Sequence, residues 1–200
     1  MALAALMAGL PSGKLDAHSL RPALPPPPGV EIPSLDHGQM AVIARHRAAI
    51  LALAEKQPQT DPTFRRLLNH ANLQYAYCLW GLMPGSILDE QSPFNGCSHA
   101  YLAAAKALLI HMKTMAAAQQ PAEALISAID AELVQSGSSW VLCQYSADTF
   151  STRAIVEPRW RDLVFHGPSL LALVLPAIGL LAMTAFVFGP PQRSAGSRQP

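Results

Sequence analysis

Apolar positions recur with a helical period from about residue 35 to about residue 135, then merge into one unbroken apolar run near residue 170. The periodic part divides into about four segments at its proline, glycine and capping residues. In the first, Leu35 to Lys56, the residues Val42, Ile43, Ala49, Ile50 and Leu53 fall on one helical face, with Arg45, Glu55 and Lys56 off its axis. His46 falls at the centre of that face, where a hydrogen-bonded core histidine is expected. The second segment opens with Thr60-Asp61-Pro62, a cap followed by proline at the first helical position, and should end before Pro84-Gly85. Phe64, Leu67, Leu68, Ala71, Tyr75, Cys78, Leu79 and Leu82 form its main stripe. Leu73, Tyr77 and Trp80 form a second apolar ridge opposite, so this helix is expected to be buried on two faces.

The third segment runs from Ser98, a candidate N-cap, to Gln119, with Tyr101, Ala104, Ala105, Leu108, Met112 and Met115 inward. The fourth starts at Pro121, uses Leu125, Ile129 and Leu133, and stops at Gly137. Trp140–Tyr145 has strand-like composition but no visible partner strand, and is read as extended chain or a helix edge. From Ser169 to Phe188 there is no charge for about 20 residues, the length of a helix that crosses a hydrocarbon core. Pro176 and Gly179 near its middle are tolerable in lipid, and the Gly179, Ala182, Ala185 ridge leaves room for a helical neighbour.

The expected fold is therefore all-α: a small bundle of about four helices followed by one C-terminal transmembrane helix. Residues 1–33 read as a flexible segment with a proline-rich linker, 34–145 as the helical domain, 146–168 as a juxtamembrane tether, 169–188 as the span and 189–200 as a short polar tail. Arg153, Arg159 and Arg161 precede the span and Arg193 and Arg198 follow it, a bias that places the helical domain in the cytoplasm, as in tail-anchored proteins. The competing reading takes MALAALMAGL as a signal peptide core, but no basic residue precedes that run.

Composition adds exclusions. Only 14% of residues are charged and the net charge is +1, so no electrostatic field recruits nucleic acid. Cys78, Cys97 and Cys143 are odd in number and widely spaced, for which a reducing compartment is the simpler fit. No P-loop, dinucleotide fingerprint, G-x-S-x-G or H-E-x-x-H stands in the chain, which lowers the expectation of an enzyme, and no cofactor is strongly implied.

The chemistry-bearing stretch is Pro84 to His99, which gathers Asp89, Glu90, Cys97 and His99. These are possible metal ligands if His70 or His111 supplied another group. The simpler reading makes it a loop of turns and caps. Two functions follow. The first is a membrane-anchored module binding a protein partner through Leu73, Tyr77 and Trp80, as an accessory or assembly subunit of a membrane complex. The second is a metal- or cofactor-dependent membrane enzyme or sensor using the 84–99 loop.

Overall fold

The computed structural model describes residues 28–137 and 148–188. Among them are helices α1 (His37–Glu55), α2 (Pro62–Tyr77), α3 (Asn95–Met112), α4 (Gln119–Gln135) and α5 (Gly167–Phe188), with two short strands, β1 (Glu31–Pro33) and β2 (Thr149–Ser151). The all-α architecture is thus present, and α5 is long and apolar enough to cross a membrane. The strand-like Trp140–Tyr145 run lies outside the described residues.

Local chemistry sets most helix starts. Asp36 caps α1 by accepting the Gln39 amide, and Asp61 caps α2 by accepting the Phe64 amide, with Pro62 at the first helical position. α2 and α3 form an antiparallel hairpin. At its open end, His111 Nε2 lies 2.7 Å from Asp61 Oδ2, a contact that holds the Asp61 carboxyl below its ordinary range. At its closed end Cys78 and Cys97 are joined in a disulfide across a sequence separation of 19 residues. The cysteine count did not anticipate this pair, because nothing local links positions on two different helices.

α3 carries the core. Cys97, Ala100, Leu102–Ala105, Leu108, Leu109 and Met112 are all buried there, and its alanines let α1 and α2 approach closely. α4 covers the α1 side. His46, expected in the core, instead reaches Glu132 of α4 at 2.6 Å, and Arg45 pairs with the same carboxylate. Both contacts hold Glu132 below the usual carboxylate range, the histidine more than the arginine.

Three boundaries differ from expectation. α2 ends at Tyr77, so Leu79 and Leu82 do not continue its stripe nor Trp80 its second ridge, and Leu82 is exposed. α3 begins at Asn95 rather than after Ser98 and closes at Met112. Residues 31–33, read as linker, pair antiparallel with 149–151 through Ile32 opposite Phe150, both buried. The local pattern could not reveal a strand whose partner lies more than a hundred residues away.

The segment read as a tether is held to the bundle. Buried Gln74 of α2 donates from Nε2 to the Val156 carbonyl at 2.6 Å and accepts the Val156 amide at Oε1 at 2.9 Å, satisfying both groups. The chain then passes through a 3-10 helix at Trp160–Phe165 and enters α5.

Candidate functional site

Two surfaces carry the candidate residues. The first is the outer side of α2 and the turn beyond it. α2 buries Phe64, Leu67, His70, Ala71 and Gln74 against the bundle. Leu73 and Tyr77 lie on the other side and, with Trp80, are 55%, 47% and 57% exposed, so the expected second buried face is open.

Trp80 is placed by backbone rather than by helix periodicity. Leu79, Trp80 and Gly81 have φ of 51°, 55° and 65°, three successive residues in the left-handed region. For each of the two non-glycine residues that conformation costs about 1–2 kcal/mol. Glycine is required at the third, where a Cβ would come within 3.0 Å of Tyr101 Oη and 3.2 Å of Tyr75 Cε2. Beneath this turn the Tyr75 and Tyr101 rings meet edge to face at 5.0 Å, and the Arg47 guanidinium sits 3.3 Å from the Tyr75 centroid. Burial raises the Tyr101 hydroxyl and lowers the Arg47 guanidinium from their ordinary pKa values. The exposed tryptophan therefore stands on a packed aromatic base.

The second surface is the Pro84–His99 stretch with the chain entering α5. Its backbone is held internally, with Asp89 Oδ1 accepting the Gln91 amide and Asn95 Nδ2 donating to the Ser86 and Ile87 carbonyls. The juxtamembrane segment grips it from outside. The Arg159 amide donates to the Pro93 carbonyl at 2.9 Å, Arg159 Nη2 donates to the carbonyls of Glu90 and Ser92, and Trp160 packs edge-on against Phe94 at 5.4 Å. His166 completes the grip. Its Nδ1 accepts the Ser169 amide and lies 2.7 Å from Ser169 Oγ, so the ring proton resides on Nε2 and is donated to Asp89 Oδ2 at 3.0 Å. That contact, more than any other, holds Asp89 below its usual range.

Ser169, His166 and Asp89 thus form a hydroxyl–imidazole–carboxylate chain. Its geometry serves helix capping. Ser169 has no accessible surface, and His166 Nδ1 already receives the helix amide, so no substrate atom approaches the hydroxyl in this state.

The proposed metal ligands are not brought together. Cys97 is bonded to Cys78, and Asp89 faces His166. His99 lies inside the bundle, with Nδ1 3.2 Å from Ser34 Oγ and its ring 5.4 Å from that of His37. Burial, then His37, push its pKa from 6.5 down to about 4. His70 is buried on α2 with its pKa lowered by burial, and His111 is occupied by Asp61. Among the described residues no group of three His, Cys, Asp or Glu side chains could hold a metal ion. A cavity of about 160 Å³ between α1, α3 and α4, lined by Ile43, Leu109, Ile126 and Ile129, is smaller than the roughly 300 Å³ at which ligand sites begin.

Sequence reasoning missed the juxtamembrane grip. Its signal was present only as unremarkable residues: Arg159 and His166, whose partners lie about 70 residues earlier, and Ser169, which caps against His166. No protein-family model matches the chain, and no curated protein or solved structure matches it.

Proposed function

We propose that this chain is a membrane-anchored helical module that binds another protein, as an accessory or assembly subunit of a membrane complex. The observation that supports this reading most is the exposed set Leu73, Tyr77 and Trp80, the last displayed by a strained left-handed turn. Strain of this kind persists where surrounding packing enforces it, and it concentrates at functional surfaces. Tyrosine and tryptophan also supply much of the binding energy at protein interfaces.

The disulfide and the arginine count favour opposite orientations. Cys78–Cys97 favours an oxidising compartment for the helical domain, because such bonds persist there and are reduced in the cytosol. Arg153, Arg159 and Arg161 favour the cytoplasm. The arginine bias is only three against two, a weak preference. We therefore assign the domain to the oxidising side.

The test is to replace Tyr77 and Trp80 with alanine in the full chain, then measure thermal stability and co-purifying proteins from detergent-solubilised membranes. Both side chains are substantially exposed, so stability should change by no more than about 0.5 kcal/mol, while the partner is lost. Unfolding of the variant without selective loss of a partner sinks the proposal.

A further inference from the structure

We infer that the part of the α2–α3 loop beyond the Trp80 turn, from Leu82 to Leu88, is seated in the headgroup layer of the membrane that α5 crosses, with phospholipid covering Leu82 and Leu88 while Trp80 is left to the protein partner; this rests on the reading of α5 as a span. The argument starts on α5 itself. Its apolar run opens at Ser169, yet Ala172 and Leu173 pack against the buried core of the helical domain. At a rise of 1.5 Å per residue, Leu173 lies about 6 Å past Ser169 along the helix. Part of the domain is therefore drawn alongside the first turn of the span.

The loop is tied to the start of α5. Asp89 is hydrogen-bonded to His166, the residue immediately before α5, and Arg159 holds the Glu90 and Ser92 carbonyls. Leu88, next to Asp89, is nevertheless 65% exposed, and on the juxtamembrane side Phe165 is 87% exposed. From Leu79 to Leu88 the loop reads LWGLMPGSIL, ten residues without a charge. Met83 is buried and Leu79 and Ile87 pack against the core, which leaves Leu82 and Leu88 beyond the Trp80 turn as exposed apolar side chains; the headgroup–acyl boundary favours such side chains.

The choice of lipid over a protein follows from chain continuity. Phe165 is two residues before Gly167, so once α5 spans the bilayer this side chain lies at its surface. Leu88 is held at the same level by the Asp89–His166 contact. Four clamps then fix the attitude of the bundle on the membrane: the span, the Gln74–Val156 pair, the Arg159 contacts and the loop in the headgroups.

The experiment uses the full chain with Cys143→Ser, in vesicles of phosphatidylcholine and phosphatidylglycerol. Single nitroxide labels are attached at Leu82→Cys, Leu88→Cys, Ala116→Cys and Ile178→Cys. The first two probe the loop, the third an exposed site at the far end of the α2–α3 hairpin, and the fourth the middle of α5. Collision rates with water-soluble nickel chelate and with oxygen report depth. Nickel accessibility at positions 82 and 88 should be at least about fivefold below that at 116, as for side chains buried in the interface. If 82 and 88 match 116 while 178 is shielded, the loop lies in water and the inference fails with the span intact. If 178 also matches 116, α5 is not a span, and inference and premise fail together.

Discussion

Acidification should destabilise the bundle from the inside, beginning at His99. This imidazole has no accessible surface, and the ring of His37 lies 5.4 Å away. Burial and that neighbour lower its pKa from 6.5 to about 4, against weaker opposing effects from the Leu35 backbone and the Asp36 carboxylate. In the unfolded chain the same group titrates near ~6.5. Between these values the unfolded state binds a proton that the folded state refuses. Stability is therefore complete above about pH 6.5, falls as the pH drops towards about 4, and levels off below that. The displacement corresponds to roughly 3 kcal/mol at most, a large share of the 5–15 kcal/mol typical of a domain. His70, whose pKa burial also lowers, adds to the loss with the same sign. Asp61, Asp89 and Glu132 are depressed carboxylates, so their contributions fade only below the ordinary carboxylate range of about 4, in a separate window. The measurement is urea unfolding of the full chain in detergent, followed by circular dichroism across this pH range, for the wild type and for His99→Gln. The variant should start less stable and show a flatter dependence between about pH 6.5 and 4.5. An equal slope in both proteins would refute the assignment to His99.

Three further outcomes follow from the same geometry. Gly81→Ala forces a Cβ against Tyr101 Oη in a left-handed backbone and should cost roughly 1–3 kcal/mol, read as a lower thermal midpoint; an unchanged midpoint contradicts the turn. Replacing Cys78 and Cys97 with serine, or adding reductant, opens the loop between them and should lower stability by about 3 kcal/mol in urea titrations, and reductant should have no further effect on the double variant. Asp89→Asn weakens the contact to His166 by about 1 kcal/mol and should speed hydrogen exchange at the Trp160–Leu170 amides while leaving α3 protected.

What the sequence made legible was whatever is decided locally. The α5 run is apolar throughout, and the Asp61-Pro62 signal marks the start of α2. Val42, Ile43 and Ile50 of α1 and Tyr101, Ala104, Ala105, Leu108 and Met112 of α3 point inward as expected, although Ala49 is exposed and α3 is buried on all sides from Asn95 to Ala105. What escaped it depends on partners far apart in the chain. Ile32 finds Phe150, Cys78 finds Cys97, Gln74 finds Val156 and Asp89 finds His166, and in none of these does one residue announce the other. The ridge was a mixed case: Leu73, Tyr77 and Trp80 were visible as apolar. Their exposure followed only once α2 ended at Tyr77 and the chain turned left-handed before Gly81.

The disulfide also bears on how load passes through the molecule. Residues 78–97 form a covalently closed ring, and the Arg159, Trp160 and His166 contacts all land on residues within it, between Asp89 and Phe94. A pull on α5, as from lateral movement of a neighbour in the membrane, is thus delivered to that ring. The ring spreads it over both helices of the α2–α3 hairpin at once, instead of peeling one helix from the other.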